Sequence, residues 1–479
     1  MNRVLNAIIT ALPFVASAGT APDRPNIVIF MTDDQGRGDL GCYGSDRVKT
    51  PNIDKLAAEG LRFTQFYAAS ASSSPSRAGL MTGRSPFRTG IYAYIQTGSS
   101  MHLKRDERTI GSILKDAGYD TCFVGKWGLN GVMGTASQSQ PNDSGFDYSL
   151  AAQNNATPSH LNPDCFFRNG VPMGVMEGYS AQIITDEVIN WLNMREDKSR
   201  PFCAVVWFQE PHRMIATPEE FAAPYREKFP GKAGKNPEKE KTEPLIADYL
   251  GNIAHMDYQV GRLMAAVADM GEARNTLTFF TSDNGPVSPG STGKLRGGKG
   301  SLYEGGFCLP GIMHWPARIK PGRISDEPAT QFDILPTLCD ITGVRLPADR
   351  VMDGESILPL LDGKKFGRTK PLFWWHWWNV NTMVVLRDGD WKLVGTPESA
   401  ELFPARMEFI RDAELKTFEL YNLKDDPFEK KNLAGQHPDR VAKMSRQAEK
   451  IYKEMQAENK ARHSWVEKDL PPGARVLEK

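Results

Sequence analysis

The sequence lacks several features that would place it in a specialised class of protein. Its six cysteines are widely scattered among 479 residues and form neither a CxxC pair nor a metal-finger spacing. Lysine plus arginine equals aspartate plus glutamate, at 58 each, so no net charge attracts nucleic acid or an anionic membrane. No internal repeat is visible. We therefore expect a globular protein without a nucleic-acid partner. Cys122 and Cys203 lie in apolar runs and are expected to be buried free thiols, while disulfide pairing stays open.

Long apolar runs are also missing, except at the N-terminus. Arg3 supplies a positive charge, residues 4–15 are apolar, and Ala16-Ser17-Ala18 fits the small-residue rule for signal cleavage. Residues 1–18 are therefore predicted to be a signal peptide. No later run approaches the length of a membrane helix. We expect the mature protein to have no membrane span and to be exported, either to the periplasm or as a secreted protein.

Short apolar runs and one amphipathic pattern define the expected fold. The runs that are typical of buried strands lie at 26–32, 121–126, 202–208, 276–282 and 311–315. Between 245 and 270, apolar residues recur at steps of three and four, which predicts a helix with one apolar face. Buried strands that alternate with helices indicate an α/β fold with a large, mostly parallel sheet flanked by helices.

The character of the sequence changes after about Lys364. Strand-like pieces at 371–378, 383–387 and 391–394 precede a charged helical segment near 439–460. This pattern predicts a smaller C-terminal α/β subdomain that contains an antiparallel sheet. We therefore divide the mature chain into a large domain at 24–365 and a C-terminal subdomain at 366–479.

Two of the predicted strands end in the same kind of polar pair. Asp33-Asp34 follows the first strand, and Asp283-Asn284 follows the strand that ends at Ser282. In open α/β sheets, ligands bind beyond the carboxyl ends of the strands, so the two pairs are expected to meet. Three carboxylates and an amide form an all-oxygen set that suits a hard cation, calcium above magnesium. Each pair could instead cap its own turn, but two pairs on matched strands favour one metal site.

A serine-rich segment supplies the second candidate feature. It runs Ser73-Ser-Pro-Ser-Arg77-Ala-Gly-Leu-Met-Thr-Gly83, in which the proline suits the first turn of a helix and Gly83 suits its end. The residue before such a helix faces unpaired backbone N–H groups and the positive end of the helix dipole, a natural site for an oxyanion. Alone, this string is weak evidence, because serine-rich turns are common.

The same segment resembles the signature of the type I sulfatases, in the alkaline phosphatase superfamily, which reads Cys or Ser, any residue, Pro, Ser, Arg, and ends in Leu-x-Thr-Gly. Other segments are similar to the family's motifs and follow in the family's order: 50–60, 125–127, 201–212, 295–306, 387–392 and 420–429. Six ordered motifs are far more specific than any one of them. The resemblance implies an alkaline phosphatase-like fold, with residues 24–365 as the catalytic domain. It also implies a hydrolase of sulfate esters, with sulfated saccharides of host or marine glycans as expected substrates.

The resemblance implies a role for each matched residue. Ser73 corresponds to the residue that is oxidised to formylglycine (3-oxoalanine), whose hydrate is the nucleophile, and Arg77 corresponds to the residue that orients that hydrate. Lys126 and Lys299 match lysines that bind sulfate oxygens, and His212 matches the group that contacts the leaving oxygen. The family's calcium ligands correspond to Asp33, Asp34, Asp283 and Asn284. Serine-type sites are matured by a radical enzyme typical of anaerobic bacteria, which makes such an enzyme an expected partner.

The chain departs from the family pattern at one position. The family's first lysine motif usually reads Gly-Lys-Trp-His, whereas Gly128 follows Trp127 here. The histidine that normally serves the release step is therefore absent, and a glycine is expected to leave space for a side chain from elsewhere. His160, in a turn-rich loop, is a candidate for the base. A substrate contact and a solvent-exposed loop histidine are equally open interpretations.

The aromatic run Phe373-Trp-Trp-His376-Trp-Trp-Asn379 is a candidate border of the pocket. Aromatic faces and an imidazole suit a sugar ring and its hydroxyls, so we predict that His376 contacts substrate. The alternative is a strand with alternate tryptophans in the core. Both can hold, because alternate residues of a strand face opposite ways.

Two further functions stay open on the sequence alone. A phosphodiesterase or phosphonate hydrolase of the same superfamily would use the same metal. An inactive protein would hold sulfated glycan without cleaving it, and only Gly128 and the serine at position 73 support that alternative.

Overall fold

Two sheets organise the computed structural model, which describes residues 24–231, 245–377, 383–397 and 413–462. The predicted signal peptide lies outside these residues. The large sheet has eleven strands and the small one has four. The strands of the large sheet are β1 (Asn26–Thr32), β2 (Leu61–Tyr67), β3 (Asp120–Lys126), β4 (Tyr148–Ala152), β5 (Phe166–Arg168), β6 (Val171–Pro172), β7 (Phe202–Trp207), β8 (Thr276–Ser282), β9 (Cys308–His314), β10 (Arg323–Ser325) and β11 (Ala329–Thr330).

The centre of the large sheet is parallel, as predicted. The strand order is β10-β2-β9-β8-β1-β7-β3-β4-β5-β6, with β11 also paired to β2. The five strands from β8 to β4 in this order are mutually parallel. Strand β9 runs antiparallel to both of its neighbours, β2 and β8. All residues of β1, β7 and β8 are buried, which explains why these strands read as continuous apolar runs.

Helices cover both faces of this sheet. The α-helices of the described residues are α1 (Pro51–Ala58), α2 (Ser73–Thr82), α3 (Pro86–Thr89), α4 (Ile110–Asp116), α5 (Ser180–Met194), α6 (Glu219–Lys228), α7 (Ile246–Asp269), α8 (Glu304–Phe307), α9 (Ile334–Thr342), α10 (Leu358–Leu361) and α11 (Pro438–Arg462). Ile29 of β1 belongs to one apolar cluster with residues of α4 and α9, and Phe30 belongs to another with residues of α5 and α7. The amphipathic helix predicted at 245–270 is α7, and its apolar face contributes to the second cluster.

The small sheet lies in the C-terminal part of the chain and confirms the predicted subdomain with an antiparallel sheet. Its strands are β12 (Leu372–His376), β13 (Met383–Asp388), β14 (Trp391–Pro397) and β15 (Leu415–Asn422), each antiparallel to the next. Helix α11, the predicted charged helix, packs on it through Met444 and Tyr452, which join the same apolar cluster as Leu386.

The cysteines and the described helices test two further expectations. Cys122 and Cys203 are buried free thiols, as predicted, and the other four cysteines are also unpaired. Among the described helices, none combines the length and the apolar character that crossing a bilayer requires.

Candidate active site and metal centre

The polar pairs that follow β1 and β8 meet at the carboxyl edge of the sheet. Thr32 pairs with Ser282 in parallel register, so the two strands end side by side. The backbone N–H of Asp34 donates to Asp283 Oδ1 at 3.1 Å, and Asn284 Nδ2 donates to Asp34 Oδ1 at 2.7 Å. The side chains of the two pairs therefore contact each other, which favours one shared site over two separate turn caps.

Ser73 lies at the start of a helix that points into this cluster. Helix α2 begins at Ser73 and ends before Gly83, whose φ of 67° suits a residue without a side chain. The Ser73 hydroxyl lies 3.4 Å from Asp33 Oδ1 and 3.3 Å from Asn284 Oδ1. Three oxygens on three separate segments thus converge at the positive end of a helix.

Arg77 is one helical turn beyond Ser73 and reaches the same carboxylates. Its Nη2 donates to Asp283 Oδ2 at 2.9 Å and lies 3.4 Å from Asp33 Oδ2. Its Nη1 donates to the backbone oxygen of Lys126 at 3.0 Å. The guanidinium also lies 5.1 Å from the centre of the Trp207 ring, a cation–π contact. These contacts fix Arg77 relative to Ser73.

Two lysines complete the positive side of the site. Lys126 is the last residue of β3, and its Nζ donates to Asp33 Oδ2 and, at 2.7 Å, to Asn155 Oδ1. Lys299 Nζ donates to both carboxylate oxygens of Asp34, at 2.7 and 2.9 Å. The chain therefore holds a fixed ammonium group on each of the adjacent aspartates.

His212 lies on the other side of Asp34. Its Nδ1 is 2.6 Å from the Arg213 backbone oxygen, which can only accept, so Nδ1 carries a proton. Its Nε2 lies 3.5 Å from Asp34 Oδ2. This tautomer leaves Nε2 as the ring nitrogen that faces the cluster.

The surrounding cations keep the central carboxylates ionised. Burial alone would raise the pKa of Asp33, but Lys126, His212 and Arg77 together lower it to about 2. Burial likewise opposes ionisation of Asp34, yet Lys299 and His212 lower its pKa. Burial lowers the pKa of the Lys126 ammonium, with Asp33 acting against it. The site therefore presents ionised carboxylate oxygens at neutral pH.

The donor set fits a hard divalent cation. Asp33, Asp34 and His212 each offer a ligand atom, and these atoms lie within 4.8 Å of one another. Asn284 Oδ1 faces the same point through its contact with Ser73. Carboxylate and amide oxygens dominate the cluster, as calcium sites require. A ring nitrogen of His212 also lies close enough to bind a metal ion held by Asp33 and Asp34. The family resemblance instead relates His212 to the leaving oxygen.

His160 is fully buried, so the interpretation as a solvent-exposed loop histidine is wrong. Its Nδ1 lies 3.2 Å from Asn252 Nδ2 and 3.9 Å from Glu210 Oε1. Its backbone N–H donates to Met214 at 3.0 Å, which attaches its loop to the loop of His212. Burial lowers the pKa of His160, with Glu210 opposing that effect. Within the described part of the chain, its Nε2 has no hydrogen-bond partner.

Gly128 does not leave empty space beside the site. The residue has a φ of 68°, and a Cβ placed on it would lie 3.0 Å from Arg77 Cδ. The stem of Arg77 therefore occupies the place where we expected a side chain from elsewhere to enter. A side chain at position 128 would be strained by the backbone conformation and would press on Arg77.

The aromatic run around His376 packs into the interior. Trp374 donates to the Ala68 backbone oxygen at 2.9 Å, and Trp375 stacks on Phe87 with ring centres 4.5 Å apart. The consecutive residues Trp374 and Trp375 therefore enter two different apolar cores, which confirms the structural alternative. His376 is fully buried with Nδ1 3.0 Å from Ser70 Oγ, and burial lowers its pKa to about 3. The ring thus supports the segment before Ser73 instead of facing a sugar. Trp378 and Asn379 lie outside the described residues.

Sequence reasoning missed two residues that contact the predicted site. Asn155 holds Lys126, and Trp207 holds Arg77. Asn155 follows a buried parallel strand, β4, just as the predicted metal-binding pairs follow β1 and β8. The polar run Gln153-Asn154-Asn155 was therefore a usable signal, but β4 is too short to stand out as an apolar run.

Comparison with known proteins identifies the family. The model of the sulfatase family matches residues 25–344, and the model of the N-sulphoglucosamine sulphohydrolase C-terminal region matches residues 298–458. The chain is 32% identical over 458 residues to the steryl-sulfatase of Mus musculus, which covers 77% of this chain and 70% of that protein. It is 30% identical over 421 residues to the N-acetylgalactosamine-6-sulfatase of Rattus norvegicus, with coverage of 82% and 75%.

A solved structure agrees with these relatives. A protein in complex with its substrate, D-glucosamine-2-N,6-O-disulfate, superposes with a TM-score of 0.71 at 25% identity, over 92% of this chain and 99% of that one. The match to the sulfatase family model includes every strand of the large sheet, from β1 to β11. The motifs, the fold and the relatives agree, and the chain belongs to the sulfatase family, enzymes that hydrolyse sulfate esters.

Proposed function

We propose that this protein is an exported, calcium-dependent sulfatase that uses a formylglycine at position 73 to remove sulfate from saccharides. The observation that carries the proposal is the convergence of Ser73 Oγ with Asp33 and Asn284, beside lysines on Asp33 and Asp34. Two of the compared proteins are named for, or bound to, sulfated amino sugars, which supports a saccharide substrate. Maturation of Ser73 by a radical enzyme, and export through residues 1–18, are parts of the same proposal.

The positive groups suit the charge of a sulfate ester. Its oxygens gain negative charge as the ester bond breaks, and Lys126 and Lys299 present ammonium groups to them from fixed positions. Calcium at Asp33, Asp34, Asp283 and Asn284 would add Lewis-acid stabilisation of the same charge. A formylglycine hydrate at position 73 would supply one hydroxyl for attack and a second whose deprotonation expels sulfate. Arg77, fixed by Asp283 and Trp207, would hold that residue in place.

His212 is the proposed acid for the leaving alcohol. Its Nδ1 proton is committed to the Arg213 backbone oxygen, so only Nε2 is available to the reaction. Nε2 lies 3.5 Å from the Asp34 carboxylate, at the edge of the cluster. A protonated Nε2 beside the cluster can give its proton to the departing oxygen.

The group that assists release of sulfate is proposed to be His160. If it is, His160→Ala enzyme should give a rapid burst of alcohol product followed by slow turnover, because only the second half of the cycle loses its base. Stopped-flow measurement with an aryl sulfate checks this. A raised KM without a burst would make His160 a substrate contact, and a wild-type rate would transfer the role to Lys126 or to water.

Parallel rate measurements test the proposed function itself. We expect the matured, calcium-loaded protein to hydrolyse an aryl sulfate with a kcat/KM at least about 100-fold above that for the matching phosphate monoester, diester and phosphonate. Defined sulfated saccharides then identify the sugar and the position. A preference for the phosphorus esters would favour the phosphodiesterase or phosphonate hydrolase. Binding of sulfated saccharide without turnover would identify a binding protein.

A further inference from the structure

A short polar loop after β4 connects three parts of the active site. Gly128 N–H donates to the Gln153 backbone oxygen at 3.0 Å, and Gln209 Nε2 donates to the Asn154 backbone oxygen at 3.0 Å. Asn155 Oδ1 accepts from Lys126 Nζ at 2.7 Å. Three consecutive residues therefore attach to the segment after β3, to the segment after β7, and to the catalytic lysine.

The side chain of Gln153 makes this loop rigid. Its Oε1 accepts from Thr97 Oγ1 at 2.7 Å, and its Nε2 donates to the backbone oxygens of Asn130 at 2.7 Å and Ile95 at 3.1 Å. Gln153 is almost completely buried. The backbone that carries Asn155 is thus fixed. A side-chain amide on a fixed backbone can hold the Lys126 ammonium in one position.

We propose that Asn155 is a positioning residue that aims the Lys126 ammonium at the sulfate group. An ammonium has three N–H donors, of which one faces Asp33 and one faces Asn155, so at least one remains for a sulfate oxygen. The amide oxygen of Asn155 accepts a hydrogen bond and is neutral, so Lys126 keeps its positive charge. A carboxylate at this position would cancel that charge. This inference rests on the proposed function, because it takes Lys126 to be a sulfate-binding group.

The position offers an informative pair of substitutions. Asn155→Ala removes the acceptor, while Asn155→Asp keeps the shape and the acceptor but adds a negative charge beside Lys126. The matched control is Asn154→Ala, since the Asn154 side chain makes no hydrogen bond among the described residues and its backbone oxygen is retained. Each variant is prepared as matured, calcium-loaded enzyme.

We expect Asn155→Ala to lower kcat/KM for an aryl sulfate about 10- to 100-fold, the effect of losing one hydrogen bond to a charged group. Asn155→Asp should lose more, and Asn154→Ala should match the wild type. The dissociation constant for inorganic sulfate, measured by calorimetry, should rise in the same order while the melting temperature stays unchanged. A wild-type kcat/KM for Asn155→Asp, with a lower melting temperature for Asn155→Ala, would overturn the inference in favour of a structural role.

The sulfate titration separates this inference from the proposed function. If the wild-type protein hydrolyses no sulfate ester, the proposed function fails, but the titration still decides the role of Asn155. Weaker sulfate binding by Asn155→Ala then supports the positioning role. Equal binding by wild type and variant contradicts it, and so does a wild-type protein that binds no sulfate.

Discussion

Replacing Ser73 with alanine is expected to lower kcat for sulfate esters by roughly 10⁶-fold, the size of effect that follows loss of a nucleophile. Alanine cannot be converted to formylglycine, and it offers no oxygen at the point where Asp33 Oδ1 and Asn284 Oδ1 converge. The hydroxyl of Ser73 makes only long hydrogen bonds, of 3.3 and 3.4 Å, so the variant should fold with nearly unchanged stability. Rates and melting temperature are measured on the same preparation.

The neighbouring serine provides the control for this experiment. Ser72 is also buried, and its Oγ has no hydrogen-bond partner within the described residues. Ser72→Ala should therefore retain activity. Mass spectrometry of active wild-type protein should show the loss of two hydrogens from the peptide that contains Ser73. Active protein with an intact serine would refute the formylglycine mechanism.

The convergence of the two polar pairs at one edge of the sheet could be predicted because a local rule governs it. Buried parallel strands deliver whatever follows them to one edge of the sheet, so the pairs after β1 and β8 were expected to meet, and they do. The same rule, applied to the end of β3, places Lys126 there. The bounds of α2 could also be predicted locally, because Pro75 suits the first turn of a helix and Gly83 suits its end.

The environments of His160 and His376 could not be predicted, because they depend on contacts between distant segments. His160 is buried by Asn252 and Glu210, which lie 92 and 50 residues further along the chain. His376 reaches Ser70 across 306 residues, from a different sheet. No periodicity within a short window reports such contacts. The sequence therefore left exposure open for His160, and its aromatic neighbours predicted a substrate contact for His376.

Gly128 illustrates a different limit. The sequence has a glycine at position 128 where the family motif has a histidine, and the missing side chain suggested empty space beside the site. In the structure, Gly128 has a φ of 68°, and a side chain placed on it would point at the aliphatic stem of Arg77. The exchange of histidine for glycine therefore concerns the packing of Arg77 as well as the supply of a base.

The charge arrangement around the aspartates leads to the second large expected effect. Each predicted carboxylate ligand has a cation of the chain itself: Arg77 on Asp283, Lys126 on Asp33 and Lys299 on Asp34. These pairs balance the buried negative charge, so calcium is not needed to keep the carboxylates apart. The same lysines, however, are the proposed sulfate-binding groups. Calcium at the aspartates would compete for those carboxylate oxygens and leave the ammonium groups for the substrate.

Removing calcium with a chelator is therefore expected to abolish turnover while leaving the protein folded. Calcium at 100 times its dissociation constant should stabilise the native state by about 2.7 kcal/mol, so the melting temperature should fall on chelation and recover when calcium is added back. Asp283→Ala should lose both the activity and the calcium-dependent rise in melting temperature. Asp340→Ala, which removes an exposed carboxylate of α9, should keep both. Scanning calorimetry and aryl sulfate rates, each with and without calcium, measure these effects, and full activity of metal-free Asp283→Ala protein would contradict the calcium site.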